Sequence, residues 1–232
     1  YTVQALDGSG TVQVTATAVG YGNGAVTHTL NPSGFVINGP SAINTTTLDA
    51  NSNVQVCVAR LDPTTLNRAA NGVLRFGIAP VSVSMTSSNT SVGTIANSPV
   101  QYSSNASCGS GGVGVFQFDP VGAGTAAVAL GTAPAGFSTP SNLQSIAANV
   151  TASGITLNAT TIGKNLQVAA SGSLDAPAPA GGVSVTLTSA DPARLLLAPN
   201  ATTAGSASIV VNVAAAASSI PYTVQALDGS GT

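Results

Sequence analysis

The chain has 232 residues, of which 44% are hydrophobic and only 5% are charged, and its formal net charge is -2. This length is enough for one or two domains with a sizeable apolar core. Because charges are so scarce, no basic surface for nucleic acid or an anionic membrane is expected, and the polar surface must come from Ser, Thr, Asn and Gln.

The chain opens on the segment YTVQALDGSGT at residues 1–11, and the same segment recurs without a change at residues 222–232. Tyr222 follows Tyr1 by 221 residues. A perfect match at this distance predicts a tandem array with a period of 221 residues, cut just past one period. Neither end is then expected to be a natural terminus.

Three strands are predicted in the first part of the chain, at residues 1–5, 11–19 and 24–30. Turn-forming pairs separate them, among them Asp7-Gly8 and Asn23-Gly24. We expect these three strands to be the closing strands of a module that precedes residue 34.

Strand signals continue along the chain. Residues 81–86 and 183–188 alternate Val, Met or Leu with Ser or Thr, which places apolar side chains on one face and hydroxyls on the other. Helix signals are weak, since the chain contains 26 Gly and 13 Pro. The pattern predicts an all-β chain of short antiparallel strands.

A weaker internal match divides the period into two modules. VSVSMTS at residues 81–87 matches VSVTLTS at residues 183–189, VQV at 54–56 matches LQV at 166–168, and the strand near 113–118 is matched to the one near 208–213. We therefore predict closing strands of a preceding module in residues 1–33, a complete module in 34–153, and a module truncated at its C-terminal end in 154–232.

Four runs of residues resemble the bacterial immunoglobulin-like (Big-type) tandem repeat domains of large surface adhesins and exoproteins. They lie at residues 10–21, 182–197, 204–213 and 222–226. The resemblance implies tandem immunoglobulin-like antiparallel β-sandwiches at the cell surface or outside the cell. The module at 34–153 departs from the pattern through two insertions, around residues 64–78 and 101–110.

The chain contains two cysteines, Cys57 and Cys108. An even pair in an otherwise cysteine-free chain predicts one disulfide, which would close a loop of about fifty residues and stabilise the fold by roughly 4 kcal/mol. Two buried free thiols are the alternative.

No set of catalytic or metal-binding residues stands out. His28, the only histidine, shares a strand face with Val26 and Leu30, and no nucleophile, base and orienting group come together in the pattern. The aspartates are isolated in turns, whereas a calcium ion needs six to eight oxygen ligands. We expect a protein that is not an enzyme and that binds no cofactor and no metal.

The sequence favours a structural role, as a repeat segment of a long extracellular bacterial fibre or adhesin stalk. Its partners would be neighbouring repeats of the same chain, with identical chains packed side by side as a further alternative, and this segment would not insert into a membrane. The alternative function is adhesion to a glycan or a protein through the two inserted loops. The candidate contact residues in those loops are Thr64, Arg68, Arg75, Tyr102 and Asn105.

Overall fold

The computed structural model describes residues 1–108 and 114–228, and every regular element in these ranges is a β-strand. The chain divides into two compact units, Tyr1–Thr151 and Ala152–Thr232, here called unit 1 and unit 2. The prediction of an all-β chain built from antiparallel sheets is therefore confirmed.

The described residues of unit 1 form thirteen strands. They are β1 (Thr11–Ala16), β2 (Gly24–Thr29), β3 (Ser33–Gly39), β4 (Ala42–Thr46), β5 (Ser52–Leu61), β6 (Arg68–Asn71), β7 (Val81–Val83), β8 (Met85–Ser87), β9 (Gly93–Ile95), β10 (Val100–Tyr102), β11 (Val115–Pro120), β12 (Gly124–Leu130) and β13 (Ser145–Thr151).

Two larger sheets organise unit 1. The first has the strand order β3-β5-β11-β9, with β6 also paired to β5, and the second has the order β4-β13-β12-β8. All of these pairs are antiparallel except β13 with β4, which is parallel. A short sheet pairs β10 with β7, and a separate hairpin pairs β1 with β2.

Both larger sheets contribute side chains to one apolar cluster. Phe116 and Phe118 of β11 and Val128 of β12 are fully buried in it. Gly93 allows the aromatic packing, because a Cβ at this position would collide with the Phe118 ring. A smaller cluster on the other side of β5 contains Cys57 and Leu61. Alternation along β5 and β11 therefore decides which side chains enter the main core.

The β1–β2 hairpin has the same alternation but lacks a covering layer. Val14 pairs with Val26 across the hairpin, so their side chains share one face. These two side chains are 40% and 44% exposed. The other face carries Thr and Gln side chains together with Ala25, so the hairpin is amphipathic with its apolar face open.

Up to residue 228, unit 2 forms six strands in two sheets. They are β14 (Ile155–Leu157), β15 (Gln167–Leu174), β16 (Val183–Thr188), β17 (Leu195–Ala198), β18 (Ser208–Val213) and β19 (Ser219–Ala226). The first sheet has the order β14-β15-β19-β17, and the second pairs β16 with β18 alone. Ile220, Val185 and Leu187 bring both sheets into one apolar cluster.

Two expectations from the sequence are wrong in detail. Residues 1–5 form no strand, whereas the identical residues 222–226 lie in β19, because only the second copy has neighbours, β15 and β17, to pair with. The match of the strand near 113–118 to residues 208–213 also fails. β11 lies between β5 and β9 as β19 lies between β15 and β17, so β19 is the counterpart of β11.

Truncation of Phe118 tests the main core of unit 1. We expect Phe118→Ala to lower the free energy of unfolding by about 3–5 kcal/mol, since the fully buried ring would leave a cavity. Phe76→Ala is the matched control, because that ring is 74% exposed and its loss should change stability by less than about 0.5 kcal/mol. Urea unfolding followed by circular dichroism measures both, and equal losses would contradict this account of the core.

Candidate functional site

The two inserted segments of unit 1 lie side by side. An isolated antiparallel bridge joins Val73 to Ser107. The Leu74 amide donates to the Ala106 carbonyl at 2.9 Å, and the Asn105 amide donates to the Leu74 carbonyl at 3.0 Å. Residues 64–78 and 101–108 therefore form one surface, while residues 109 and 110 of the second predicted insertion lie outside the described residues.

A disulfide between Cys57 and Cys108 fixes this surface to the sheet. Cys57 is fully buried in β5, and Cys108 packs against the same small apolar cluster from the second inserted segment. The Cα atoms are 4.8 Å apart, and Cys108 follows Cys57 at a sequence separation of 51. The bridge thus restricts the position of the second segment relative to the central strand of the first sheet.

Asp62 shapes the start of the first inserted segment. Its Oδ1 accepts hydrogen bonds from the amides of Thr64 at 3.0 Å and Thr65 at 2.8 Å, and from the Thr65 hydroxyl at 3.0 Å. The Thr65 amide and hydroxyl, followed by the Thr64 amide, hold the pKa of the Asp62 carboxyl below its ordinary value. Thr64 therefore supports the turn through its backbone, and its side chain stays exposed.

The two arginines of the first inserted segment, Arg68 and Arg75, lie in different structural settings. Arg68 begins β6, and its amide donates to Asn142 Oδ1 at 3.0 Å. Arg75 follows the bridge region and is half-buried. Within residues 1–108 and 114–228, the one ion pair joins Arg194 to Asp228, so neither guanidinium of the segment pairs with a carboxylate.

Tyr102 lies in the core and not in an exposed loop. Only 2% of its surface is exposed, its hydroxyl donates to the Val56 carbonyl at 2.9 Å, and its ring meets Phe35 edge to face at 4.9 Å. Burial raises the pKa of the Tyr102 phenol above its ordinary value of 10.0. A buried phenol that already donates its proton to a backbone carbonyl cannot contact an external ligand.

A cavity of about 1110 Å³ opens in unit 1 beside the inserted segments. Arg60, Arg75, Phe76 and Asn105 line it, together with residues of the N-terminal segment 2–9. Arg75 and Asn105 are thus brought to one site, whereas Thr64, Arg68 and Tyr102 are not among its lining residues. Phe76 was missed in the sequence, although its place between Arg75 and Gly77 in an inserted segment was a signal.

The chemistry available at this cavity is recognition by cations, an amide and an exposed ring. In the described ranges, no group of three or more His, Cys, Asp or Glu side chains is close enough to hold a metal ion. His28 lies in β2, opposite Val12, and its buried Nε2 has no hydrogen-bond partner within the described part of the chain.

Comparison of the chain with family models, with curated proteins and with solved structures finds no match. In the described ranges, no helix has the length and apolar character to cross a membrane.

Replacement of Tyr102 tests its buried hydrogen bond and its pKa. At neutral pH, Tyr102→Phe should lower the free energy of unfolding by about 1 kcal/mol through the lost hydrogen bond. The unfolded chain releases the phenolic proton near pH 10 and the folded protein only at higher pH, so wild-type stability should fall as pH rises above 10. Tyr102→Phe should show a smaller fall.

Tyr21→Phe is the control, because this side chain is 80% exposed. Chemical unfolding measured from pH 8 to pH 11 gives the comparison. If Tyr102→Phe and Tyr21→Phe had the same pH dependence above pH 10, the assigned role of Tyr102 burial would be wrong.

Proposed function

We propose that the chain is a repeat segment of a long extracellular bacterial fibre or adhesin stalk, built from two alternating immunoglobulin-like modules. The observation that carries this proposal is the unchanged recurrence of YTVQALDGSGT, with Tyr222 lying 221 residues after Tyr1. Separate domains that had diverged would not keep such a segment identical, whereas recent tandem copies do.

The strand order supports two modules of one fold. The sheet orders β3-β5-β11-β9 in unit 1 and β14-β15-β19-β17 in unit 2 arrange four strands in the same way. Counting only the strands of each sheet, both sheets have the chain order first, second, fourth and third, which is the relative order of the A, B, E and D strands in one sheet of an immunoglobulin-like sandwich. In unit 1 the second sheet, β4-β13-β12-β8, shares the core with the first.

The disulfide and the surface chemistry favour a location outside the cell. Disulfides persist in oxidising compartments, and Cys57 and Cys108 form a disulfide. On the outer face of β16 and β18, Ser184 bonds to Asn212 at 2.8 Å, and Thr188 bonds to Ser208 at 3.0 Å. Such uncharged pairs respond little to salt or pH, which suits a fibre exposed to a changing medium.

In this proposal the chain acts mechanically, catalyses no reaction and needs no cofactor. Each module contributes its own core, and neighbouring repeats of the same chain are its partners. Sequence repetition then provides length, because one folded design is copied along the fibre.

The axial repeat of native material tests this function. Modules whose strands have up to about ten residues at ~3.3 Å each are about 35–40 Å long, so one period should advance by about 80 Å. Cryo-electron microscopy of isolated fibres measures the repeat, and mass spectrometry measures the intact polypeptide. A native polypeptide with a single copy of the period, or material without an axial repeat, would contradict the proposal.

The cavity supports adhesion as a second candidate function. Arg60 and Arg75 supply cations, Asn105 supplies an amide, and Phe76 presents an exposed ring on which a sugar can stack. Loops on a rigid sheet are common places for binding residues, and the disulfide gives this surface such support. The ligand would be a glycan or a protein surface.

A glycan array tests this second function. We expect ligand binding by the wild type to fall at least about tenfold in Phe76→Ala and Arg75→Ala, if the cavity is the site. Lys164→Ala is the control, because it removes one exposed positive charge in unit 2. If Lys164→Ala weakened ligand binding as strongly as Arg75→Ala, the cavity would not be the binding site.

A further inference from the structure

The β1–β2 hairpin has a close counterpart in the β12–β13 hairpin of unit 1. Gly-X-Gly-Thr leads into the first strand of each, ending at Thr11 and at Thr125, and Ser-Gly follows the second strand of each. The registers also agree. Val14 pairs with Val26 in one hairpin, and Val128 pairs with Ile146 at the corresponding position of the other.

The two hairpins differ in what covers them. Val128 is fully buried in the core of unit 1, whereas its counterpart Val14 is 40% exposed. Two residues earlier in each first strand, Ala126 corresponds to Val12. Ala126 is 7% exposed, whereas Val12 is 51% exposed. The β1–β2 hairpin therefore has the pattern of a core hairpin without the layer that would bury it.

In unit 1, β12 is held from its other side by β8, with Ala129 opposite Thr86. The consecutive strands β7 and β8 therefore have two neighbouring strands. β10 pairs with β7, and β12 pairs with β8. Their counterpart by sequence, VSVTLT in β16, has only one neighbour among the described strands, which is β18. Among the described residues of unit 2, no strand corresponds to β12, and one edge of β16 is unpaired there.

The sequence beside the hairpin indicates what belongs at that edge. The segment YTVQA that forms part of β19 in unit 2 also stands just before β1 in its other copy, at residues 1–5. β19 is the counterpart of β11, and β11 is followed by β12 and β13. By the same order, a β19 strand should be followed by a β1–β2 hairpin.

We propose that the β1–β2 hairpin of one copy of this chain docks on unit 2 of a second copy, with β1 pairing antiparallel to the open edge of β16. The register of β12 on β8 places Thr15 opposite Thr188. The face carrying Val12, Val14, Val26 and His28 then covers the side of the core that contains Leu187. Added backbone hydrogen bonds and buried apolar area stabilise the contact, as in other cases of strand addition.

Charge does not oppose this contact. Residues 11–29 contain no Asp, Glu, Lys or Arg, and neither do β16 and β18. Strands at a solvent-exposed sheet edge normally carry charged residues or proline, which discourage pairing with another chain. β16 contains neither. The contact is head to tail and joins different surfaces, so copies should form chains or rings whose size increases with concentration.

This inference deepens the proposed function and rests on its two-module interpretation, but it is tested on the 232-residue chain in solution. Two single variants, Thr15→Cys and Thr188→Cys, one of them isotope-labelled, are mixed and oxidised. Mass spectrometry of the unreduced mixture then measures covalent pairs between labelled and unlabelled chains. Directly opposed residues have Cβ atoms about 4.5–5.5 Å apart, close enough for a disulfide.

Ser184→Cys with Thr15→Cys is the matched control pair. Ser184 lies on the same strand and face as Thr188, and each of the two loses one cross-strand hydrogen bond when replaced. It is four residues away, which corresponds to about 13 Å. We expect the Thr15–Thr188 pair to form at least about tenfold more mixed dimer than the control pair.

Val14→Asp in the Thr15→Cys chain should abolish the mixed dimer, whereas Gln13→Asp, on the polar face, should leave it. Val14 is already 40% exposed, so the hairpin is expected to fold in both variants, and circular dichroism checks this. Equal linking of both cysteine pairs, or a chain that stays monomeric by light scattering and gives no mixed dimer, would overturn the inference.

The outcomes separate this inference from the proposed function. If the Thr15–Thr188 pair formed the mixed dimer but native material had no axial repeat, the fibre proposal would be contradicted and the contact between copies would be supported. If native material had an axial repeat of about 80 Å but no mixed dimer formed, the fibre proposal would be supported and the contact between copies would be contradicted.

Discussion

The fold depends on one constraint, which is that the apolar face of each strand must be covered by a second layer of strands. In unit 1, β11 and β12 meet this constraint for one another, since Phe118 and Val128 are both fully buried in one cluster. Each such side chain contributes on the order of 1.5–3 kcal/mol through burial. The remaining features, from the positions of the inserted segments to the disulfide at Cys57, are built on the sheets that this burial holds together.

The identical segments at the two ends show how far that constraint overrides local sequence. Tyr1 is 99% exposed and lies outside any strand, whereas Tyr222, the same residue of the repeat, is 9% exposed in β19. Val3 and Val224 differ in the same way, at 49% and 6%. The second copy has β15 and β17 beside it to accept its backbone hydrogen bonds. Strand propensity is thus realised only where a partner edge is present.

The candidate site was partly visible in the sequence. The inserted segments, the cysteine pair and the candidates Arg75 and Asn105 could all be selected from pattern and spacing, and the last two line one cavity. Tyr102 was selected with them because it lies in the second predicted insertion, but it is buried against Phe35 and bonded to the Val56 carbonyl. No local signal distinguishes an aromatic residue at the rim of a loop from one that turns inward, since this depends on the facing sheet.

The sequence by itself determined the all-β class, the alternation that marks each apolar face, and the repetition of YTVQALDGSGT. These features are local or periodic, so they can be read without knowing which strands meet. Only the tertiary structure decided that β11 corresponds to β19, that Tyr102 lies in the core, and that β16 and the β1–β2 hairpin each have an open side. Pairing and burial join residues that are distant in sequence, and an alternating pattern fixes which face is apolar without fixing what covers it.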